Sequence, residues 1–223
     1  VATANRAGIP PTKANDKYPG IPSTSRDLEA DALVTLGKAR ISAVNMANAY
    51  ATVANGGERA DVHVIDKVEL DDGTVDYQYK QHTTPAFDPE DDQRNEDIAA
   101  DTSYAMQQVV QNGTGRNALA LGRPAAGKTG TATNDDGDVS SSWFVGYTPQ
   151  LATAVMYVRG DGDNALNDWL PSYFGAEYPT RTWTASSACW LREKTACWRA
   201  TAHARPSAAP RNAAIVPSPI VLT

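Results

Sequence analysis

The sequence contains little cysteine and few histidines. Only two of its 223 residues are cysteines, Cys189 and Cys197, and the first 185 residues contain none. A long stretch without cysteine fits an oxidising compartment. Neither the spacing of the two cysteines nor the three scattered histidines matches a zinc site. The sequence therefore predicts neither a metal ion nor a cofactor.

Long apolar runs are also missing. No apolar run approaches the length of about 20 residues that a membrane-spanning helix needs. The apolar fraction of 41% and the charged fraction of 21% are typical of a globular domain and exclude a disordered tail or a collagen-like chain. The N-terminus has no basic segment leading into an apolar run, so no signal peptide is visible. Because it also lacks an initiator methionine, we expect the chain to be a piece of a longer protein.

Positive charge is scarce except near the C-terminus. The net charge is −6, divided into −10 over residues 1–185 and +4 over residues 186–223. An acidic chain argues against nucleic acid as a partner. The last 38 residues contain nine alanines and four prolines and show no sustained helical or strand period. We therefore predict one folded body over residues 1–185, followed by an atypical tail that is disordered or read from a shifted frame.

Two segments have the apolar spacing of helices, residues 43–54 and about 95–112. Ser42 is a candidate N-cap for the first, because its hydroxyl can accept a hydrogen bond from a free amide of the first turn. Asn55-Gly56-Gly57 favours a stop there, since these residues tolerate the left-handed conformation. Gly113-Thr114-Gly115 favours a stop after the second helix rather than a dinucleotide-binding fingerprint, because a helix and not a strand precedes it.

Strand patterns occur in two regions. Alternating side chains around Asp71-Asp72-Gly73 predict a β-hairpin within residues 62–79. Three later segments read as adjacent antiparallel strands: residues 125–132, 142–148 and 151–158. Residues 1–26 and 83–93 are polar and contain prolines, so we predict loops there. This order of elements predicts an α+β fold with helices on a mostly antiparallel sheet.

The segment from Gly122 to Thr129 satisfies the phosphate-binding pattern G-x-x-x-x-G-K-[ST]. Such a loop needs a helix directly after the lysine, since the helix N-terminus holds the phosphates. Here the following residues are glycine, threonines and a cluster of acids, which oppose a helix and repel phosphate. A phosphate-loop nucleotide-binding protein is therefore the less favoured interpretation.

The same segment contains Lys128-Thr129-Gly130, a tripeptide that penicillin-recognising serine enzymes carry on a strand. A lysine and a threonine hydroxyl at one edge can bind the carboxylate of a peptide ending in D-alanine. Gly130 lets the substrate backbone approach the strand closely. An amide of the same strand can serve an oxyanion hole.

Beyond this tripeptide, the sequence resembles the second half of the transpeptidase domain of class A, bifunctional penicillin-binding proteins. The similar segments follow the family's order: MANAYATVANGG (46–57), MQQVVQNGTGRNA (106–118), GRPAAGKTGTATND (122–135), SSWFVGYTPQLATAVMYV (141–158) and GAEYPTRTW (175–183). Because the order agrees as well as each motif, the chain is identified as a member of this family. The resemblance implies an incomplete α/β sandwich of the kind shared with β-lactamases.

For the site, the resemblance implies catalytic roles for Lys128 and Thr131. It implies that Thr129, Gly130 and Thr131 bind the substrate and that Trp143 forms a wall of the cleft. The substrates implied are peptidoglycan stem peptides ending in D-Ala-D-Ala, and β-lactams. The implied partners are an N-terminal half with a glycosyltransferase domain and a membrane anchor. The implied location is the outer face of the bacterial cytoplasmic membrane.

The sequence departs from the family pattern in two ways. No serine stands three residues before any lysine, so the nucleophile motif Ser-x-x-Lys is absent, and Ser-x-Asn is absent as well. We therefore expect this chain alone to be an inactive fragment or a binding module. The closing helix of the family should follow Thr184, yet the pattern stops near Ala185. A shifted reading frame explains this better than a natural tail.

Overall fold

The computed structural model describes residues 1–192, and these form an α+β fold. Residues 1–192 contain four α-helices: α1 Ala2–Ala7, α2 Ala43–Ala54, α3 Asp92–Gln111 and α4 Tyr178–Arg192. The same residues contain seven strands: β1 Glu58–Ala60, β2 Lys67–Glu69, β3 Val75–Gln78, β4 Thr83–Pro85, β5 Ala126–Thr133, β6 Val139–Thr148 and β7 Leu151–Val158. Short 3-10 helices span Val34–Leu36 and Arg116–Leu121. The predicted fold class is confirmed.

The largest sheet is the predicted antiparallel meander, ordered β5-β6-β7. Pro149 and Gln150 form the tight turn between β6 and β7, and Thr148 pairs with Leu151 across it. Strand β6 begins at Val139, earlier than predicted, because Val139 still pairs with Thr133 of β5. The β-branched and aromatic side chains of β6 and β7 suit a sheet that is covered on both faces.

Each face of this sheet carries a helix, since side chains alternate along the strands. Helix α2 packs on the face that presents Val145 and Ala154. Helix α4 packs on the opposite face, where the buried ring of Trp183 meets Phe144 edge to face at 5.2 Å. The Trp183 indole N–H also donates to the carbonyl of Gly146, at 3.2 Å. The sheet is therefore the middle layer of the fold.

Buried asparagine side chains hold loops against the helices. The Asn45 amide of α2 accepts from the backbone N–H of Ile21 and donates to the carbonyl of Pro22. The Asn95 amide of α3 accepts from the backbone N–H groups of Phe87 and Asp88. Both side chains are almost fully buried. Losing such a bond would leave a buried polar group without a partner, so these asparagines fix the paths of their loops.

The helix predicted over residues 43–54 is confirmed, including its cap. The Ser42 hydroxyl accepts from the backbone N–H of Asn45, and Gly56 and Gly57 take positive φ after the helix ends. The predicted hairpin is also confirmed, with β2 and β3 pairing around the turn at Gly73. Its strands are shorter than predicted, and all of their residues are exposed, because no layer covers them.

Two predicted loops contain regular structure. Residues 1–26 include α1, whose Ala7 joins Ile9 in a small core against α2. Residues 83–93 include β4, which pairs with β1, and the start of α3 at Asp92. A three-residue strand whose partner lies far away in sequence leaves no periodic signal. Helix α3 begins earlier than the predicted start at about residue 95. The Asp91 carboxylate caps its first turn by accepting a hydrogen bond from the backbone N–H of Arg94.

Helix α4 crosses the boundary predicted at residue 185. The helix continues to Arg192, and Ser187 is buried, so regular structure extends past the predicted boundary; the atypical character of the tail stays a prediction. The rest of the predicted tail, residues 193–223, lies outside the described residues. Within residues 1–192, no helix combines the length and apolar character needed to cross a membrane.

Replacing Trp183 with alanine should destabilise the fold. The side chain is fully buried between the sheet and α4, so its removal leaves a cavity, and the expected loss is about 3–5 kcal/mol. Trp183→Phe should lose less, since a ring remains against Phe144. Leu36→Ala, at a side chain that is 81% exposed, is the control and should change stability by less than about 0.5 kcal/mol. Urea denaturation measures all three; equal losses for Trp183→Ala and Leu36→Ala would contradict this packing.

Alkaline pH should destabilise the fold through Tyr50. Burial raises the pKa of Tyr50 from 10.0 to about 12. The folded state therefore keeps a proton that the unfolded chain releases, and stability present below pH 10 is lost as the pH rises through 12. The loss reaches about 2–3 kcal/mol at most. Denaturation at increasing pH should show a shallower decline for Tyr50→Phe; an unchanged slope would contradict the assignment to Tyr50.

Candidate functional site

The candidate site lies on β5, which is an edge strand of the main sheet within the described part of the chain. After Pro124 the backbone enters the strand through small residues, and Lys128-Thr129-Gly130-Thr131 occupy its middle. All four pair with consecutive residues of β6, from Val145 back to Ser142. An edge strand keeps one row of backbone groups for another extended chain, so this position suits peptide binding.

The ammonium group of Lys128 is held at the strand and lies open to solvent. Its Nζ donates to the carbonyl of Thr129 at 3.0 Å, and the side chain is exposed. Among residues 1–192, no carboxylate lies within 4.0 Å of this nitrogen. Lys128 is therefore a cation that an incoming anion can pair with.

Gly130 and Trp143 lie side by side on the face of Lys128. They are direct partners in the β5–β6 register. A Cβ placed on Gly130 would lie 3.2 Å from the Cβ of Trp143, so any larger residue would crowd the indole. Trp143 is half-buried and packs against the core beneath α2. The structure thus places the predicted wall residue next to the predicted substrate-binding glycine.

Thr129 and Thr131 point to the opposite face, as alternation along the strand requires. Each hydroxyl already has a partner from another part of the chain. The Oγ1 of Thr129 lies 2.7 Å from the Oγ1 of Thr114, and the Oγ1 of Thr131 accepts from the backbone N–H of Gly175 at 3.2 Å. The predicted site residues therefore lie within four consecutive strand positions, together with Trp143, but Lys128 and the two threonines reach the edge from different faces.

Hydrogen bonds from α4 and from the second 3-10 helix hold the loop that contacts Thr131. The carbonyl of Gly175 accepts from the buried hydroxyl of Thr180, and the carbonyl of Ala176 accepts from the side-chain amide of Asn117. Gly175 lies so close to the sheet that a Cβ there would overlap the carbonyl oxygens of Trp143 and Gly130. Only glycine allows this approach, so residue 175 is part of the site's support.

The phosphate-loop interpretation of Gly122–Thr129 is wrong. Gly122 ends a 3-10 helix in the left-handed conformation, and the chain becomes a strand from Ala126 onward. Lys128 and Thr129 are thus inside a strand, and the next elements along the chain are strands β6 and β7 rather than a helix. The backbone amides that would surround a phosphate are engaged in the β5–β6 ladder or lie along the strand edge.

Sequence reasoning missed Thr114 and Gly175 as site residues. Both lie inside segments that carry the family resemblance, MQQVVQNGTGRNA and GAEYPTRTW, and that membership was the available signal. The local pattern at Thr114 predicts only a helix stop. The contact of Thr114 with Thr129 joins the turn after α3 to strand β5, which no local pattern connects.

A separate cavity of about 210 Å³ lies between α2, the base of the hairpin and the β6–β7 turn. Its lining includes Asn48, His63, Tyr79 and Thr148 but none of the residues from Lys128 to Thr131. The chemistry of the candidate site is therefore carried by the open edge of β5 and not by this cavity.

The arrangement on β5 can recognise a carboxylate. An ammonium group supplies charge, two hydroxyls supply directional hydrogen bonds, and the strand edge supplies backbone donors and acceptors. A peptide that ends in a carboxylate and lies along the edge would use all three. Within residues 1–192, the site itself contains no thiol or imidazole that would act as nucleophile or base.

Comparison with known families agrees with this geometry. The family model described as "Penicillin binding protein transpeptidase domain" matches residues 8–168. Penicillin-binding protein 1A of Mycolicibacterium smegmatis is 35% identical over 155 residues, which cover 69% of this chain and 19% of that protein. Penicillin-binding protein 1A of Neisseria meningitidis serogroup A is 42% identical over 148 residues, which cover 64% of this chain and 17% of that protein. The chain thus spans about a fifth of the length of these relatives.

Solved structures share the fold. The penicillin-binding protein PonA1 from Mycobacterium tuberculosis superposes with a TM-score of 0.65 at 29% identity, covering 85% of this chain and 48% of that one. Its complex with penicillin V superposes with a TM-score of 0.66 at 28% identity, over the same shares of the two chains. Penicillin-binding protein 1A from Haemophilus influenzae has a TM-score of 0.60 at 18% identity, covers 74% of this chain and 28% of that one, and so supports the fold alone. The predicted likeness to transpeptidase domains is confirmed.

Gly175→Ala should destabilise the fold and disturb Thr131. The added methyl would overlap two carbonyl oxygens of the sheet, so the loop must move away, at an expected cost of about 1–3 kcal/mol. Ser172→Ala, in the same loop, is the matched control, since the Ser172 hydroxyl forms no side-chain hydrogen bond within the described residues. Urea denaturation gives the stability change, and the amide resonance of Gly175 in the wild-type chain reports its bond to Thr131. A fully stable Gly175→Ala variant would contradict the close approach.

Proposed function

The chain belongs to the penicillin-binding protein transpeptidase family, and we propose that it forms the carboxylate-binding side of a peptidoglycan D,D-transpeptidase site. The observation that carries this proposal is the exposed ammonium of Lys128 on an edge strand that also carries the hydroxyls of Thr129 and Thr131. In the complete protein Lys128 and Thr129 bind the terminal carboxylate of the stem peptide. Thr131 adds its hydroxyl and a backbone amide to the oxyanion hole, and Trp143 closes one wall.

The reaction of the complete protein is a serine acyl transfer. A serine oxygen forms an ester bond with the carbonyl of the penultimate D-alanine, and the terminal D-alanine leaves as an amine that takes up a proton. A second stem peptide then attacks the ester through its own amine and frees the serine. This chain has neither Ser-x-x-Lys nor Ser-x-Asn. It therefore supplies the carboxylate anchor and part of the oxyanion hole, and the nucleophile comes from elsewhere in the protein.

The substrates and the location follow from the same family. The proposed ligands are stem peptides ending in D-Ala-D-Ala and β-lactams, whose carboxylate occupies the same position. The structure of PonA1 with penicillin V supports a β-lactam at such a site. The proposed partner is an N-terminal half with a glycosyltransferase domain and a membrane anchor, which would place the protein on the outer face of the cytoplasmic membrane.

A fluorescent penicillin should not label this chain covalently, because acylation needs a nucleophile, a base and an oxyanion hole in one place. A longer form that contains Ser-x-x-Lys and Ser-x-Asn should be labelled. In that form Lys128→Ala should slow labelling by about one to two decades, since a charge-assisted contact is lost. Thr129→Val should slow it less, because only a neutral hydroxyl donor is removed.

Lys80→Ala is the matched control, since Lys80 is exposed near the end of the hairpin and far along the chain from β5. Its labelling rate should equal that of the unsubstituted protein. Gel fluorescence over time measures all variants. Covalent labelling of the chain as given would contradict the proposal, and Ser42 would be tested first. The Ser42 hydroxyl, however, already donates to the carbonyl of Ile21 and accepts from the N–H of Asn45, which leaves it poorly placed as a nucleophile.

A further inference from the structure

We propose that Thr114 is a positioning residue that orients the hydroxyl of Thr129 towards the substrate carboxylate; this inference rests on the proposed function. The Oγ1 atoms of the two threonines are 2.7 Å apart, a normal distance for a bond between hydroxyls. Thr114 belongs to the turn after α3 and is 15 residues away from Thr129 along the chain. The contact is therefore made by the fold and not by local geometry.

The turn that presents Thr114 is fixed by backbone contacts. The N–H groups of Gly113 and Gly115 both donate to the carbonyl of Val109, at 3.1 and 2.9 Å. Gly115 packs against the ring of Phe144, which is fully buried and lies directly opposite Thr129 in the β5–β6 register. Thr114 is thus held beside Thr129 by groups other than its own side chain.

The count of protons explains what the pair can do. Each threonine hydroxyl has one proton and can accept up to two hydrogen bonds, whereas a carboxylate only accepts. When Thr129 donates to a carboxylate, it has no proton left for Thr114. Thr114 must then be the donor, so the bound state contains a chain from Thr114 to Thr129 to the carboxylate. Such a chain holds the Thr129 hydroxyl in the donating orientation and polarises it.

Thr131 shows the same arrangement with a backbone donor. Its Oγ1 accepts a hydrogen bond from the backbone N–H of Gly175. A backbone N–H can only donate, so the direction of this bond is fixed. The Thr131 proton is therefore left for a ligand. In the carboxylate-bound state, both hydroxyls of the Lys-Thr-Gly-Thr segment thus receive a hydrogen bond from a group outside the strand, Thr131 from the Gly175 amide and Thr129 from Thr114. Thr114 donates to the Thr129 hydroxyl in the same way that the Gly175 amide donates to the Thr131 hydroxyl. Of these two donors, only the one from Thr114 belongs to a side chain and can be removed by substitution.

The side chain of Thr114 is not needed to build the turn. Thr114 is exposed, and the turn depends on the backbone of its two neighbours and on Phe144. Thr114→Val keeps the shape of the side chain and removes the hydroxyl. Thr114→Ser keeps the hydroxyl and removes a methyl group. Thr133→Val, on the same strand, is the matched control, since the Thr133 side chain is exposed and forms no side-chain hydrogen bond within residues 1–192.

The test uses the whole chain and two peptides that differ only in charge. N-acetyl-D-alanyl-D-alanine is titrated against each variant at millimolar concentration, and the amide resonances of Thr129 to Thr131 report binding. The same titration with the C-terminal amide of that peptide reports binding without a carboxylate. We expect Thr114→Val to weaken binding of the acid by about two- to tenfold, the effect of one lost hydrogen bond. Thr114→Ser and Thr133→Val should bind it as the unsubstituted chain does, and Thr114→Val should leave binding of the amide unchanged.

Each other outcome is decisive. If the unsubstituted chain binds the acid no better than the amide, the proposed carboxylate role of the strand fails, and this inference fails with it. If the chain prefers the acid but Thr114→Val binds it equally well, only the inference fails. If Thr114→Val weakens binding of both peptides alike, or if Thr114→Ser does not restore binding, Thr114 has a structural role and the proposal is overturned.

Discussion

The register between β5 and β6 sets the geometry of the candidate site and of the core beneath it. It places Thr129 opposite Phe144, whose ring is fully buried against Trp183 of α4. A slip of one residue would turn Phe144 out of the core and exchange the faces of Lys128 and Thr129. The burial of this aromatic ring, worth about 1.5–3 kcal/mol, therefore favours the register that sets the directions of the Lys128, Thr129 and Thr131 side chains.

The same ring also aligns the parts that reach the site from outside the sheet. Gly115 packs on Phe144 and so brings Thr114 to Thr129, while Trp183 anchors the helix that follows the Gly175 loop. Core packing thus orients the hydroxyls of Thr129 and Thr131 indirectly, through the turn of Thr114 and the loop of Gly175. An exposed hydrogen bond contributes little stability by itself, since water competes for both partners. Rigid packing beneath it is what makes such a bond useful for orientation.

A structural feature is predictable from this sequence when the residues that form it lie close together along the chain. Helix α2 was predictable because its apolar spacing, its Ser42 cap and its glycine stop are all local. The meander was predictable because its strands are adjacent and rich in β-branched residues. Strand β4 was not, since its three residues pair with β1 across a separation of more than 20 residues. Helix α4 continued past residue 185 because buried contacts, such as those of Ser187, outweigh the weak local period.

The candidate site divides in the same way, and this division explains what the chain can do. Lys128, Thr129, Gly130 and Thr131 form one short motif, so their identity and their strand were readable from sequence. Thr114 and Gly175 come from distant segments and could be found only from contacts. Recognition of a carboxylate needs a fixed charge and oriented donors, and one edge strand with its supports supplies both. Acyl transfer needs in addition a nucleophile and a base on a second element. Under the proposed function, the two tasks therefore rest on different segments of the protein, and we expect carboxylate binding to be measurable in this chain separately from the chemistry.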